Sequence, residues 1–395
     1  MSYAGPTRGP RPSCIRVNEN RVGDPVNYRV QVVMNFTEPR RLTNLNTRFT
    51  SIAFSPDGDR IAFACEKRRR CLVGVMNRDG SNLIEVAGKE NARDDTYRDL
   101  HFSPDGTFLV GSVLEEDGEF SDVLLIDLAT KAQTRLTHGR KAGHPALSPD
   151  GSCMVFEAWR PDGTDLWRLD REGGKEPWAT ATRLTHTQFV GTEDPEDQAP
   201  RNAYPSWSPD GAEIAFLSSA LTDKANQPLQ VGLIRPDGSD IRYLTETVNA
   251  TWNAPVWHPS GKDIAFTIHK DLGPEQGRKL WKYRHEVHII CRDGKGARCL
   301  KTSPDVNHLG NFRPDDGRFI VYSSSCGERF AEGWRNWDIR MIDVETSEVF
   351  AVTNNDWYDG EPQFSPDGGS ILFGSERNVA GGMNGCDLYS VEIVD

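Results

Sequence analysis

One four-residue turn recurs seven times at near-even spacing, and a repeat of that kind leaves few folds open. The copies are Ser55-Pro56-Asp57-Gly58, Ser103-Pro104-Asp105-Gly106, Ser148-Pro149-Asp150-Gly151, Ser208-Pro209-Asp210-Gly211, His258-Pro259-Ser260-Gly261, Arg313-Pro314-Asp315-Asp316-Gly317 and Ser365-Pro366-Asp367-Gly368. Their prolines lie 48, 45, 60, 50, 55 and 52 residues apart. A period near 50 is the mark of a repeat architecture. The chemistry fits a type I turn: proline presets φ at its second position, serine suits the first and glycine the fourth.

Each turn leads into a short apolar run, as in Ile61–Cys65, Met154–Phe156 and Ile214–Phe216, and a second run follows, as in Val123–Asp127 and Val231–Ile234. Asp-Gly turns such as Asp79-Gly80 and Asp237-Gly238 then precede a segment ending in Leu-Thr: Leu136-Thr137, Leu184-Thr185, Leu244-Thr245. β-rich runs bounded by Gly, Pro and Asp read as hairpins, and four antiparallel strands per repeat make a propeller blade. The expected fold is all-β, a seven-bladed propeller. The last repeat has only three strands, while Arg40-Arg41-Leu42-Thr43 is an orphan fourth strand near the start. It is expected to complete blade seven, because ring closure removes exposed sheet edges. The propeller is read as 38–395, with 1–37 a Pro/Gly-rich arm or cap carrying one further strand, Tyr28 to Met34.

The pattern resembles TolB-like, or PD40, β-propellers. The match is clearest from Tyr204 through Pro205, Trp207 and Ser208-Pro209-Asp210-Gly211, then Ile214-Ala215-Phe216 and Ile234 to Gly238. The resemblance covers about residues 38–395 and implies a fold; propellers carry many unrelated functions.

A net charge of −12 over 395 residues argues against nucleic acid as a partner. The basic run Lys67-Arg68-Arg69-Arg70 sits at a hairpin tip and reads as a solvated loop, with an anion or partner contact as the alternative. No apolar stretch is long enough to insert in a membrane. Residues 1–30 lack a secretory apolar segment, so the chain as given reads as cytoplasmic; it reads as periplasmic or secreted if a leader has been removed. Eight cysteines include Cys65/Cys71, Cys291/Cys299 and Cys326/Cys386, each pair bracketing or joining turns, a placement that permits disulfides in an oxidising compartment.

The Pro-Asp-Gly turns join strands A and B of each blade, counted outward, so the B–C and D–A loops share the opposite face. The long insertions are there, and binding residues favour elaborated loops on a rigid scaffold. Tyr204, Trp252, Trp334, Trp337, Trp357 and Tyr358 are the candidate ligand-binding aromatics; the plain alternative is that they pack the loops onto the blades.

Innermost strands line the channel. Five residues before each turn proline stand Ser51, Asp99, His144, Tyr204, Ala254, Leu309 and Glu361. Glu361, Asp99 and His144 fall on neighbouring blades once the ring closes, with His308 one residue off register, and these four are the candidate catalytic residues. Carboxylate plus imidazole suits Mn²⁺ or Zn²⁺, so His144, Asp99 and Glu361 form a candidate metal set able to acidify a substrate C–H or a water. Gly143-His144-Pro145 before a turn is also similar to oligogalacturonate lyases, propellers of comparable size. That resemblance implies a metal held by several histidines and a glutamine at such strand starts; here Asp99 and Glu361 stand where imidazoles are expected. His285 and His288, three apart on one strand, point to opposite faces. Glu193 to Asp197 is acidic but lacks the spaced Ca²⁺-loop pattern. No HExxH, GxSxG, Walker or GxGxxG motif is present.

Two functions remain open. One is a binding module that holds a peptide, protein segment or glycan on the loop-rich face. The other is a metal-assisted lyase, or related acid–base enzyme, acting on an acidic or sugar-like molecule at the channel mouth.

Overall fold

The structure is a computed structural model. It describes residues 34–394 except 68–69, 91–95, 115–120, 139–140, 162, 172–180, 188–200, 220–228, 246–253, 275–280, 301, 303–306, 326–336 and 378–384, with backbone only at 67, 271–274 and 281–283. Trp252, Trp334, the acidic stretch 193–197 and the arm through 33 therefore lie outside the described residues.

Seven antiparallel sheets follow one another along the chain. Blade 1 begins at strand Arg48–Phe54, blade 2 at Tyr97–Phe102, blade 3 at Ala142–Leu147, blade 4 at Asn202–Trp207, blade 5 at Val256–Trp257, blade 6 at Asn307–Phe312 and blade 7 at Asp359–Phe364. Blade 7 is completed from the other end of the chain. Arg40–Arg41 pairs with Ser390 and Tyr389, and Asn35–Phe36 pairs with Val394 and Ile393. The outer strand of blade 7 thus starts three residues before the expected boundary at 38.

The turn works as its composition predicts. In blade 3 the Ser148 hydroxyl donates to Asp150 Oδ1 (2.6 Å) and accepts the Cys153 N–H (3.0 Å), while Asp150 accepts the Ser152 N–H (3.0 Å). Blades 1, 2, 4 and 7 repeat this set. In blade 5 His258 takes the serine's role, its Nδ1 accepting the Ser260 N–H. Each turn glycine has positive φ, and Gly151 at +68° seats against the preceding blade: a Cβ there would lie 3.2 Å from Pro104. Gly211 sits likewise on Pro149, and Gly58 on Pro366, which carries the contact across the closure.

The Leu-Thr ending marks a second clamp. The Thr137 hydroxyl accepts the Val123 N–H (2.9 Å) and donates to Asp122 (2.8 Å); Thr185 does the same with Leu166 and Asp165, and Thr43 with Leu388 and Asp387. An arginine two residues before each threonine, Arg135, Arg183 or Arg41, closes an ion pair on the same aspartate. Buried carboxylates need this many donors to offset desolvation.

Cys65, Cys153, Cys291, Cys299 and Cys386 are free thiols. Cys65 pairs across the sheet with Leu72, and Cys71 with Glu66, so their side chains leave opposite faces. Cys299 pairs with His288, three residues from Cys291, which puts that second pair on opposite faces too. Among the described residues no helix is long and apolar enough to cross a membrane.

Asp165 is fully buried and accepts from Arg183, Thr185, Thr187 and Asn202. Asp165→Ala is expected to lower unfolding stability by about 3–5 kcal/mol, because it strands a partly buried arginine and several donors. Thr245→Ala in blade 4 removes one neutral cap and should cost about 1 kcal/mol. Urea denaturation of the two variants checks the ranking.

Candidate functional site

Every described inner strand but the short one of blade 5 breaks register near the position five residues before the turn proline, as between Arg98 and His101, Gly143 and Ala146, Ala203 and Ser206, and Gly360 and Gln363. At those breaks Asp99 (φ 54°), His144 (48°), Tyr204 (56°) and Glu361 (54°) adopt left-handed backbone. For residues other than glycine this conformation costs on the order of 1–3 kcal/mol each and clusters at functional sites. The bulge also frees backbone donors, and the preceding blade satisfies them. Ser51 Oγ accepts the Leu100 N–H (2.9 Å), Ser112 Oγ the His144 N–H (3.2 Å) and Glu157 Oε2 the Tyr204 N–H (3.0 Å).

Ser51, Asp99, His144, Tyr204 and Glu361 line one central cavity of about 910 Å³, which extends along the inner strands to the turn prolines Pro56, Pro149, Pro314 and Pro366. His144 is its electrostatic centre. Nδ1 lies 3.1 Å from Glu157 Oε1, and Nε2 lies 3.8 Å from Asp99 Oδ1. Its ring packs on Tyr204 at 4.3 Å between centroids, and Ser112 Oγ donates to the far oxygen of Asp99 (2.8 Å). Burial alone would push the imidazole pKa down, but the Asp99 and Glu157 carboxylates outweigh it and raise it to about 9. Burial would raise Glu157, and the His144 charge and the Tyr204 N–H bring it below its ordinary value. Tyr204 is pushed up to about 12, first by burial and then by Glu157, so it stays a neutral donor. Glu361 touches cavity space yet has protein around it, and that desolvation raises its carboxyl.

His308 stands apart from this group. Its ring stacks on His285 (5.8 Å, 18°) and tilts against Trp337 (4.8 Å), while His285 Nε2 meets His269 Nδ1 at 3.2 Å. Burial, reinforced by His308 and His269, lowers His285 to about 4, and burial lowers His308 as well. Trp337 is buried and bridges to Tyr358, whereas Trp357 is 45% exposed. Arg70, at the end of the basic run, pairs with Glu85 and Glu90. Asp99, His144 and Glu361 do not gather their donor atoms into one metal set. Among the described residues, the group of three that does so is Glu286, His288 and Cys299 on blade 5.

Sequence reasoning missed Glu157 and Ser112. Both sit on second strands, opposite Gly143 and Arg98. The available signal was a lone carboxylate in the otherwise apolar run Met154–Trp159.

No family model matches the chain. Among curated proteins it is 26% identical over 171 residues to uncharacterized protein Atu1656 of Agrobacterium fabrum, covering 42% of this chain and 52% of that protein. It is 24% identical over 236 residues to uncharacterized peptidase YuxL of Bacillus subtilis, covering 58% of this chain and 28% of that protein. The chain thus spans about half the length, or less, of these relatives. Among solved structures it is similar to an oligogalacturonate lyase in complex with manganese (TM-score 0.60, 16% identity, 92% of this chain and 97% of that one). It is also similar to TolB from Acinetobacter baumannii (0.50, 16%, 78% and 66%). At such identities the likeness shows the fold alone, a β-propeller, here with the seven blades of this chain's own sheets.

Glu157→Gln removes one of the two charges that hold His144 protonated. The imidazole pKa, followed by NMR, should fall from about 9 toward the ordinary 6.5. Because the folded value is the higher one, the native protein gains stability from this group below pH 6.5 and loses it as pH rises through about 9. The variant's stability should depend less steeply on pH across that window, since only the Asp99 charge remains.

Proposed function

We propose that the propeller binds a small carboxylated, sugar-like molecule in its central channel. One observation carries the reading. Separate blades hold His144, Tyr204 and Glu361 in left-handed backbone and turn them toward one cavity. Together they offer an imidazolium, a neutral hydroxyl and a carboxyl with raised pKa. The strongest acceptors there, Asp99 and Glu157, already accept from Ser112 and the Tyr204 N–H. The His144 imidazolium is the charged donor at this spot, and charge-assisted hydrogen bonds to a carboxylate are the strong kind. The cavity volume lies in the range of small-molecule sites.

Fold likeness to an oligogalacturonate lyase supports acidic sugars as the class to try first. The manganese of that structure does not carry over to the channel. His144 is engaged by two carboxylates, and among the described residues the channel donors do not converge on one point, so no step is derived through a channel metal. A second reading, a peptide or protein partner on the loop-rich face, is favoured by exposed Trp357.

Calorimetric titration with a galacturonate oligomer and its neutral galactose counterpart tests the proposal. The acidic ligand should bind, the neutral one should bind at least tenfold more weakly, and His144→Ala should remove the difference. Affinity should fall as pH passes about 9, where the imidazolium discharges. Equal binding of both sugars, or binding unaffected by His144→Ala, overturns the channel site. Turnover of the acidic sugar, read as a new ultraviolet-absorbing double bond, would make the same site a lyase centre, with Glu361 as carboxylate taking the C–H proton and His144 protonating the leaving oxygen.

A further inference from the structure

The repeats provide an internal reference for a departure in blade 5. In blades 2, 3 and 7 an aspartate opens strand C, and the outer strand answers with Arg-Leu-Thr: Asp122 with Arg135, Asp165 with Arg183, Asp387 with Arg41. Backbone bonds fix the equivalence. Leu136 N–H reaches Val123 O, Leu184 reaches Leu166, Leu42 reaches Leu388, and in blade 5 Leu300 reaches Val287 (2.8 Å). Glu286 therefore stands in the aspartate's place and Cys299 in the arginine's, within Cys299-Leu300-Lys301. His288 is the direct cross-strand partner of Cys299, where the other blades have Leu124, Trp167 or Tyr389.

An ion pair is thus replaced, at matched positions, by a thiol, an imidazole and a carboxylate. The three converge: His288 Nε2 lies 3.2 Å from Glu286 Oε2, and one ring nitrogen, one carboxylate oxygen and Cys299 Sγ all lie within 4.8 Å of one another. A tetrahedral Zn²⁺ holds N, O and S donors about 3.3–3.8 Å apart. We propose that Glu286, His288 and Cys299 form a Zn²⁺ site on the outer part of blade 5, separate from the channel. Thiolate plus imidazole selects a borderline-soft ion over Mg²⁺ or Ca²⁺.

Other charged groups at the site accommodate the ion. Lys270 Nζ lies 3.0 Å from Glu286 Oε2 and is displaced by the metal, whereas Arg284 keeps the other oxygen, Oε1 (2.5 Å). Three protein donors leave a fourth position for water. The site joins strand C to an outer strand of two residues, Arg298–Cys299, so the metal acts as a clip where the arginine–aspartate pair serves elsewhere.

The test uses the full chain, stripped by a chelator and titrated with Co²⁺. About one equivalent should bind, with the visible bands of tetrahedral cobalt and a thiolate-to-metal charge-transfer band, and ZnCl₂ should displace it. Cys299→Ser should abolish the charge-transfer band; this residue is exposed, so the variant should fold. Glu286→Gln and His288→Ala should each weaken binding by on the order of 100-fold. Cys291→Ser and His144→Ala should leave it unchanged, which separates the site from the other thiols and from the channel. No charge-transfer band in the native chain, or a band that survives Cys299→Ser, overturns the proposal.

Discussion

The seating of each turn glycine on the blade before it is the contact on which the ring depends. A Ser-Pro-Asp-Gly turn is compact because the serine and aspartate side chains satisfy its own backbone. Its glycine can then press on the preceding proline without a Cβ in the way. Where the motif changes, the partner changes with it. Gly317 in blade 6 lies against His258, the residue that replaces the turn serine in blade 5. Arg60 donates to Gly106 O (2.8 Å), carrying the contact from blade 1 to blade 2. Close packing of this kind transmits position from blade to blade, and the inner strands inherit it.

The channel site follows from that regularity. An inner strand with one extra residue must bulge, and the bulge turns the extra residue out of the ladder. The N–H groups it frees need acceptors, which come from the previous blade: Ser51 on its inner strand, Ser112 and Glu157 on second strands. Glu157 serves both purposes: it caps the Tyr204 N–H and charges His144. Structural need and site chemistry are thus met by one carboxylate.

Blade 5 bends the rules more than its neighbours. Its middle strands, Asp263–Pro274 and Trp281–Cys291, are the longest pair, yet its inner and outer strands have two residues each. It lacks the serine of the turn and the arginine and threonine of the outer clamp. Local departures from a repeat's own pattern tend to fall where something other than stability is served, and the histidines at 269, 285 and 288 all belong to this blade.

The amino-acid sequence determined the fold almost unaided. Seven turns at a 50-residue period, Leu-Thr endings and an orphan Arg40–Thr43 strand imply seven blades and their closure, because turn residues and strand periodicity act over a few residues and need no distant partner. It also determined which inner-strand position would face the channel, at Asp99, His144, Tyr204 and Glu361. Only tertiary structure decided how those residues combine. His144 met Glu157 rather than Glu361, His308 turned to His285 and Trp337, and Glu286, His288 and Cys299 converged across two strands. Such pairings depend on register between strands and on distances between blades, and both are set by packing across the ring rather than by any single segment.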